Sequence, residues 1–255
     1  MSTVEVTRDG PVAVIRMNRP EVHNALDPAM LDLLLRTVRE TSDDDTVRAI
    51  VLTGGSRAFT TGEDLVTAAG LAEDEMRAQA AQFQQLATAL RFAPQPVVAA
   101  IGGYAYGGGL EIAVNCDLRV AGDNARFACP EVEWSLTLSN GSSVLLRRLI
   151  GEGWTRELLL FGTVFDATDA LRVGLVTRVV PVYDLEAKAV ALAHKAAGYA
   201  REAVRLTKDL LNADPRPWQD TLDAEGDAVL DGFGNEELQQ RLRAFAERRR
   251  NKAKG

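Results

Sequence analysis

Apolar and polar residues alternate from Val4 to Arg8 and again from Val12 to Asn18, on either side of Asp9-Gly10. A period of two marks a half-buried strand, and Asp-Gly between two such runs predicts an antiparallel hairpin. The period then changes. Met30, Leu33, Leu34 and Val38 share one helical face behind Asp27 as N-cap and Pro28 at the first helical position, predicting a helix that ends near Ser42. Asp43-Asp44-Asp45 reads as a solvated turn, and Val47 to Thr53 as a strand closing on Gly54-Gly55.

A glycine-bearing loop from Ala58 to Leu65 follows, then a polar, alanine-rich helix from Glu73 to Arg91 that Pro94 and Pro96 terminate. The apolar run Pro96 to Ile101 is too short for anything but a buried strand, and it feeds the stretch Gly102 to Asp117, which carries three consecutive glycines at 107–109. The order there is strand, glycine loop, helix. Asp117 to Ala121 reads as another short strand, Gly141 to Leu149, Trp154 to Phe161 and Asp166 to Val173 as helices, and Val176 to Val180 as a late strand. From Asp184 onward the pattern is helical, broken at Gly198, Asp214-Pro215 and Gly232-Phe233-Gly234. Strands alternating with helices predict an α/β architecture with parallel crossovers. The modest apolar stripes of the helical tail predict that it packs on the body or on another subunit.

Composition narrows the function classes. With 255 residues, 46% hydrophobic and 25% charged, the chain can bury one substantial core. A formal charge of −7 argues against non-specific nucleic-acid binding, because no basic excess exists to release phosphate counterions. The basic cluster at 248–254 reads either as a solvated helix end or as a patch for an anionic ligand. Cys116 and Cys129 lack zinc or dithiol spacing and read as buried fillers in a reducing compartment; two histidines, His23 and His194, make a histidine-based metal centre unexpected. The N-terminal segment has neither a basic nor an apolar leader region, and no uncharged apolar run reaches membrane-spanning length, so a cytoplasmic location without membrane partners is expected.

The glycine stretch carries the chemistry. Its backbone can approach a ligand closely, and the uncommitted N–H groups of the following helix's first turn favour a developing negative charge. Its spacing is not that of a dinucleotide loop. Taken alone, Glu111 reads as an early-helix carboxylate favoured by the dipole, Glu131 as a solvated turn residue, and Trp134, Trp154 and Trp218 as packing residues.

In order and spacing, Asn18-Arg19-Pro20 with Asn24-Ala25-Leu26, Ala58 to Leu65, Gly102 to Asp117, Phe127 to Glu131 and Ala170 to Val176 resemble the enoyl-CoA hydratase/isomerase superfamily, the crotonase fold. The resemblance spans nearly the whole chain. It implies a ββα superhelix core over 1–195 and a C-terminal helical region over 196–255 used to build a homotrimer or a dimer of trimers. The implied ligand is an acyl-CoA thioester, with no metal and no further cofactor. The N–H groups of Glu63 and Gly108 match the family's oxyanion hole, which stabilises charge on the thioester oxygen. Asn24, Ala25, Thr61, Gly62, Asp64, Leu65 and Gly107 match its CoA and substrate contacts. Glu111 and Glu131, twenty positions apart, match the pair that handles the reacting water. Glu111 would orient and activate it, and Glu131 would donate a proton to the α-carbon.

The implied activity is reversible hydration of a trans-2-enoyl-CoA to a 3-hydroxyacyl-CoA. Alternatives are isomerisation or dehydration of a specialised acyl-CoA, or binding without catalysis. Two departures bear on the choice. Thr60-Thr61 replaces a smaller pair, which would alter the nucleotide end of the pocket. Residues 135–142 keep only Gly141 of the family's glycine-proline loop, which shapes the acyl and water side.

Overall fold

The computed structural model describes residues 2–134 and 136–213. Strands β1 (Val4–Asp9) and β2 (Val12–Met17) form the expected antiparallel hairpin, with Val4 opposite Met17. Helix α1 (Pro28–Asp43) starts where its cap requires: the Asp27 side chain accepts from the Met30 N–H at 2.8 Å. β3 (Ala49–Thr53) then returns parallel to β2. β4 (Ala58–Thr60), a short helix α2 (Leu65–Ala68) and α3 (Glu73–Arg91) follow, then β5 (Val97–Ile101), β6 (Tyr104–Tyr106) and α4 (Gly108–Val114). Next come β7 (Leu118–Gly122), β8 (Arg126–Ala128) and, after a 3-10 turn at Pro130–Trp134, α5 (Ser142–Leu160). The described chain closes with β9 (Phe165–Asp166), α6 (Ala167–Val173), β10 (Arg178–Val180), α7 (Leu185–Ala197) and α8 (Arg201–Asn212).

Two sheets result. One has six strands in the order β1-β2-β3-β5-β7-β10, the other four in the order β4-β6-β8-β9. The pairs β3/β4, β5/β6 and β7/β8 each give one strand to each sheet before a helix, which makes a ββα unit that repeats. The central strands of the large sheet are apolar on both faces, while the edge strand β1 is mostly exposed. Ile50, Leu52, Val97, Ala99 and Ile101 face the main core, whereas Ala49, Val51, Val98 and Ala100 pack against Leu185, Ala189, Ala193 and Ala197 of α7. Strands covered on both sides read as continuous apolar runs, as Ala49–Leu52 and Val97–Ile101 do.

The second sheet departs from the sequence reading, which left Ala58 to Thr60 and Gly102 to Tyr106 in glycine loops. These strands are three residues long and their partners lie far along the chain, Ala58 pairing with Tyr104. No local period betrays such pairing. The two helices expected over 141–161 form one run broken at Gly151, whose φ of 77° and ψ of 167° kink α5. Cys116 and Cys129 are buried and free, and burial pushes the Cys116 thiol up to about 12.

The division expected after residue 195 falls in the last turn of α7. Beyond it, Lys208 of α8 is 6% exposed and donates to Asp117 Oδ2 at 2.7 Å and to the Gln95 carbonyl at 3.0 Å, so α8 docks on the body at the start of β5. Residues 214–255, with the Asp214-Pro215 and Gly232-Phe233-Gly234 breaks, lie outside the described residues. No helix among the described residues is long and apolar enough to cross a membrane.

Candidate active site

The two glycine-bearing loops meet. Leu26 donates to the Gly62 carbonyl at 2.7 Å and accepts from the Asp64 N–H at 3.0 Å, which directs the intervening Glu63 N–H to the other side of the chain. Across from it, a Cβ built on Gly62 would lie 2.7 Å from the Gly108 nitrogen, so only glycine allows this approach. The N–H groups of Glu63 and Gly108 have no acceptor among the described residues. Both residues line a cavity of about 460 Å³, together with Thr61, Leu65, Gly107, Glu111 and Glu131. Met76, Ala80 and Phe83 of α3, with Trp134 and Leu136, supply its apolar wall.

Asn24, Ala25, Gly62 and Asp64 are not in that wall; they shape it. Asn24, at a φ of 57°, donates its amide to the carbonyls of Gly54, Ala58 and Phe59 at 2.8–3.1 Å and accepts from the Arg19 N–H. Asp64 pairs with Arg19 at 2.7 Å and caps α2 through the Val66 and Thr67 N–H groups. Thr60 is also inward. Its hydroxyl donates to the Asn24 carbonyl at 2.7 Å and accepts from the Gly62 N–H at 3.0 Å. Of the Thr60-Thr61 pair, then, only Thr61 can alter the pocket.

Glu111, on the first turn of α4, is 3% exposed. Its Oε1 accepts from the N–H groups of Ser139 at 3.1 Å and Asn140 at 3.2 Å, and its Oε2 from the Asn140 side-chain amide at 3.1 Å. Burial raises its pKa, against the opposing pull of the Asn140 and Ser139 N–H bonds. Glu131 differs. It is half-buried, its Oε2 has no hydrogen-bond partner among the described residues, and its pKa is raised to about 7, chiefly by burial and further by the charge of Glu111. Burial also lifts the Glu63 carboxyl.

Ser139 and Asn140 were legible only as a departure from a family pattern, because their contact spans 28 and 29 positions. Trp134 is a correction. It is 61% exposed and lines the cavity, whereas Trp154 does pack, edge-on to Phe165 with ring centroids 6.0 Å apart. Trp218 lies outside the described residues. Among the described residues no three His, Cys, Asp or Glu side chains form a metal-holding group.

The Glu131 shift carries a stability signature. Its folded pKa lies above the unfolded value, so its contribution is fully present below about pH 4.5 and is lost as pH rises through about 7. Glu131→Gln removes that loss. After discounting for partial exposure, the variant gains about 1 kcal/mol over the parent near pH 8.5, or about 2–4 °C in Tm, and nothing near pH 4.5. Melting curves at the two pH values check this, and equal differences at both would contradict the burial of this carboxyl.

The chain belongs to the enoyl-CoA hydratase/isomerase family, whose pattern it matches over residues 7–255. It is 34% identical over 252 residues to the short-chain-enoyl-CoA hydratase of Clostridium acetobutylicum, covering 98% of this chain and 97% of that protein. The crotonyl-CoA hydratase of Syntrophomonas wolfei is 33% identical over 245 residues, 95% of this chain and 94% of the other. The crystal structure of enoyl-CoA hydratase from Bacillus anthracis superposes with a TM-score of 0.93 at 33% identity, covering 97% of each chain. The α/β architecture is therefore the crotonase fold, as the sequence motifs imply.

Proposed function

We propose that this chain is an enoyl-CoA hydratase, a hydro-lyase that adds water across the C2=C3 bond of a trans-2-enoyl-CoA to give a 3-hydroxyacyl-CoA. The observation that carries the reading is one cavity holding two unpaired backbone donors and two carboxyl groups in contrasting environments. The thioester oxygen receives the N–H groups of Glu63 and Gly108, which stabilise the enolate that forms as water adds. Glu111, held by three donors, orients water and accepts its proton as the oxygen bonds to C3. Glu131 carries a proton up to about pH 7 and delivers it to C2. One proton shared by the pair suffices: it leaves Glu131 for carbon while the proton from water arrives at Glu111. Dehydration is the same path reversed.

No further cofactor is needed, since the thioester itself is the electron sink. Residues 196–255 are assigned to trimer or dimer-of-trimers contacts, by resemblance to the family. A cytoplasmic location accords with the two free, buried thiols.

The test is turnover of crotonyl-CoA and longer enoyl-CoAs, followed as loss of the conjugated thioester's ultraviolet absorbance with identification of the product. Formation of 3-hydroxyacyl-CoA is expected. Binding of CoA esters without turnover would sink the reading in favour of a non-catalytic role, and a migrated double bond would replace it with isomerisation.

A further inference from the structure

A carboxylate offers about four lone-pair sites for hydrogen bonds. At Glu111 three are occupied by N–H donors, two on Oε1 from Ser139 and Asn140 and one on Oε2 from the Asn140 side chain, and the buried Ser142 hydroxyl also faces the carboxylate and favours its charged form. Oε2 takes one N–H donor where Oε1 takes two, which leaves Oε2 the more open oxygen for a ligand. The residue that restricts it is itself fixed. Asn115, which caps α4 one turn beyond Glu111, donates to the Asn140 carbonyl at 3.0 Å and to the Glu111 carbonyl at 2.8 Å. The Ser139 hydroxyl donates to Asn140 Oδ1 at 3.1 Å, and the ionised Glu111 carboxylate, which only accepts, requires the NH2 end of the amide on its own side. Asn140 is 4% exposed, so water competes poorly for these bonds.

We propose that Asn140 is a positioning residue for Glu111, its side-chain amide fixing the carboxylate so that Oε2 is presented to the reacting water. This rests on the hydratase reading. A backbone loop alone would grip Oε1 and leave the carboxylate free to rock about that anchor; the side-chain donor on the other oxygen removes this freedom. Precise placement of a reacting group is worth a large factor, since a displacement of about 1 Å costs about 100-fold in rate. The amide also favours the charged form of Glu111. The titratable groups facing Glu111 are Glu131 across the cavity and Cys129 after β8, and both are unchanged by substitution at 140.

Two variants test the assignment. Asn140→Ala deletes the donor, and Asn140→Asp keeps the shape while replacing the donor with an acceptor. Each is assayed for crotonyl-CoA hydration across pH. In parallel, Glu111 is titrated by 13C NMR of carboxyl-labelled glutamate, its signal assigned by its loss in Glu111→Gln. Asn140→Ala is expected to lower kcat about ten- to a hundred-fold with KM within about threefold. The acidic limb of its kcat/KM profile, which requires ionised Glu111, moves to higher pH, and the NMR midpoint moves with it. Asn140→Asp moves both further. An unchanged limb and midpoint overturn the proposal, as does an activity loss that only follows a fall in Tm. If the parent protein binds crotonyl-CoA without turning it over, the hydratase reading fails, and with it the role in water binding. The NMR midpoint then still decides whether Asn140 holds the carboxylate.

Discussion

Glu111→Gln and Glu131→Gln each lower kcat for crotonyl-CoA hydration by about 10²–10⁴-fold while CoA-ester affinity stays within a few-fold of the parent. Glutamine keeps the shape of either side chain and removes its proton chemistry. At 111 the replacement also turns one of two acceptor oxygens into a donor facing the Asn140 amide, so the local hydrogen bonds must rearrange. At 131 the carboxyl has a free Oε2 and a pKa near 7, so it alternates readily between acid and base under neutral conditions. The alkaline limb of the parent's pH profile belongs to the pair and lies near 7; it disappears in Glu131→Gln. Because the two groups act in one step, the double variant is little worse than the poorer single one. Steady-state kinetics across pH, paired with calorimetric titration of a CoA ester, checks all of this. Full activity in either single variant removes that residue from the mechanism.

Gly109→Ala is expected to be as damaging without touching an acid or a base. A Cβ built on Gly109 lies 2.2 Å from the Thr60 carbonyl oxygen and 2.9 Å from both its carbonyl carbon and its Cγ2. Those are backbone and packed atoms, with no flexible tip to swing aside. The only relief is separation of α4 from β4, the elements that lead into the Gly108 and Glu63 N–H groups proposed to share one thioester oxygen. Displacing the donors costs about 10²–10³-fold in kcat/KM, and overpacking costs about 1–3 kcal/mol of stability. Gly153→Ala in α5 is the control. Nothing lies within 4 Å of a Cβ there, so the substitution keeps activity and raises stability by about 0.5–1 kcal/mol through helix propensity. Unfolding curves and kinetics of the two variants side by side check the contrast; a fully active Gly109→Ala would show that the two loops can separate harmlessly.

Local signals carried much of the fold into the sequence. The hairpin at Asp9-Gly10, the Asp27-Pro28 start of α1 and the bounds of α3 at Glu73 and Arg91 all rest on residues within a few positions of one another. The four-stranded sheet did not show, because Ala58–Thr60, Tyr104–Tyr106 and Arg126–Ala128 are short segments that become strands only by pairing across the fold. The site divides the same way. Glu111, Glu131 and the two glycine loops stood out through their resemblance, in order and spacing, to the family's motifs, whereas Glu111 and Glu131 taken alone read as ordinary surface or helix-start carboxylates. The grip of Ser139 and Asn140 on Glu111 joins segments that no periodicity connects. Thr60 misled for a related reason: its size was visible in the sequence, its inward hydrogen bonds to Asn24 and Gly62 were not.

The N–H groups at positions 63 and 108, proposed to bind the thioester oxygen, are main-chain groups, so no single side-chain replacement other than proline deletes them. The carboxyls at 111 and 131 can each be lost in one codon. Inherited change therefore falls unevenly on the two halves of the site: thioester polarisation is passed on with the backbone, while proton traffic is open to revision. A scaffold with that asymmetry can exchange one acyl-CoA reaction for another by altering a few side chains, without ever rebuilding the cradle that activates the substrate.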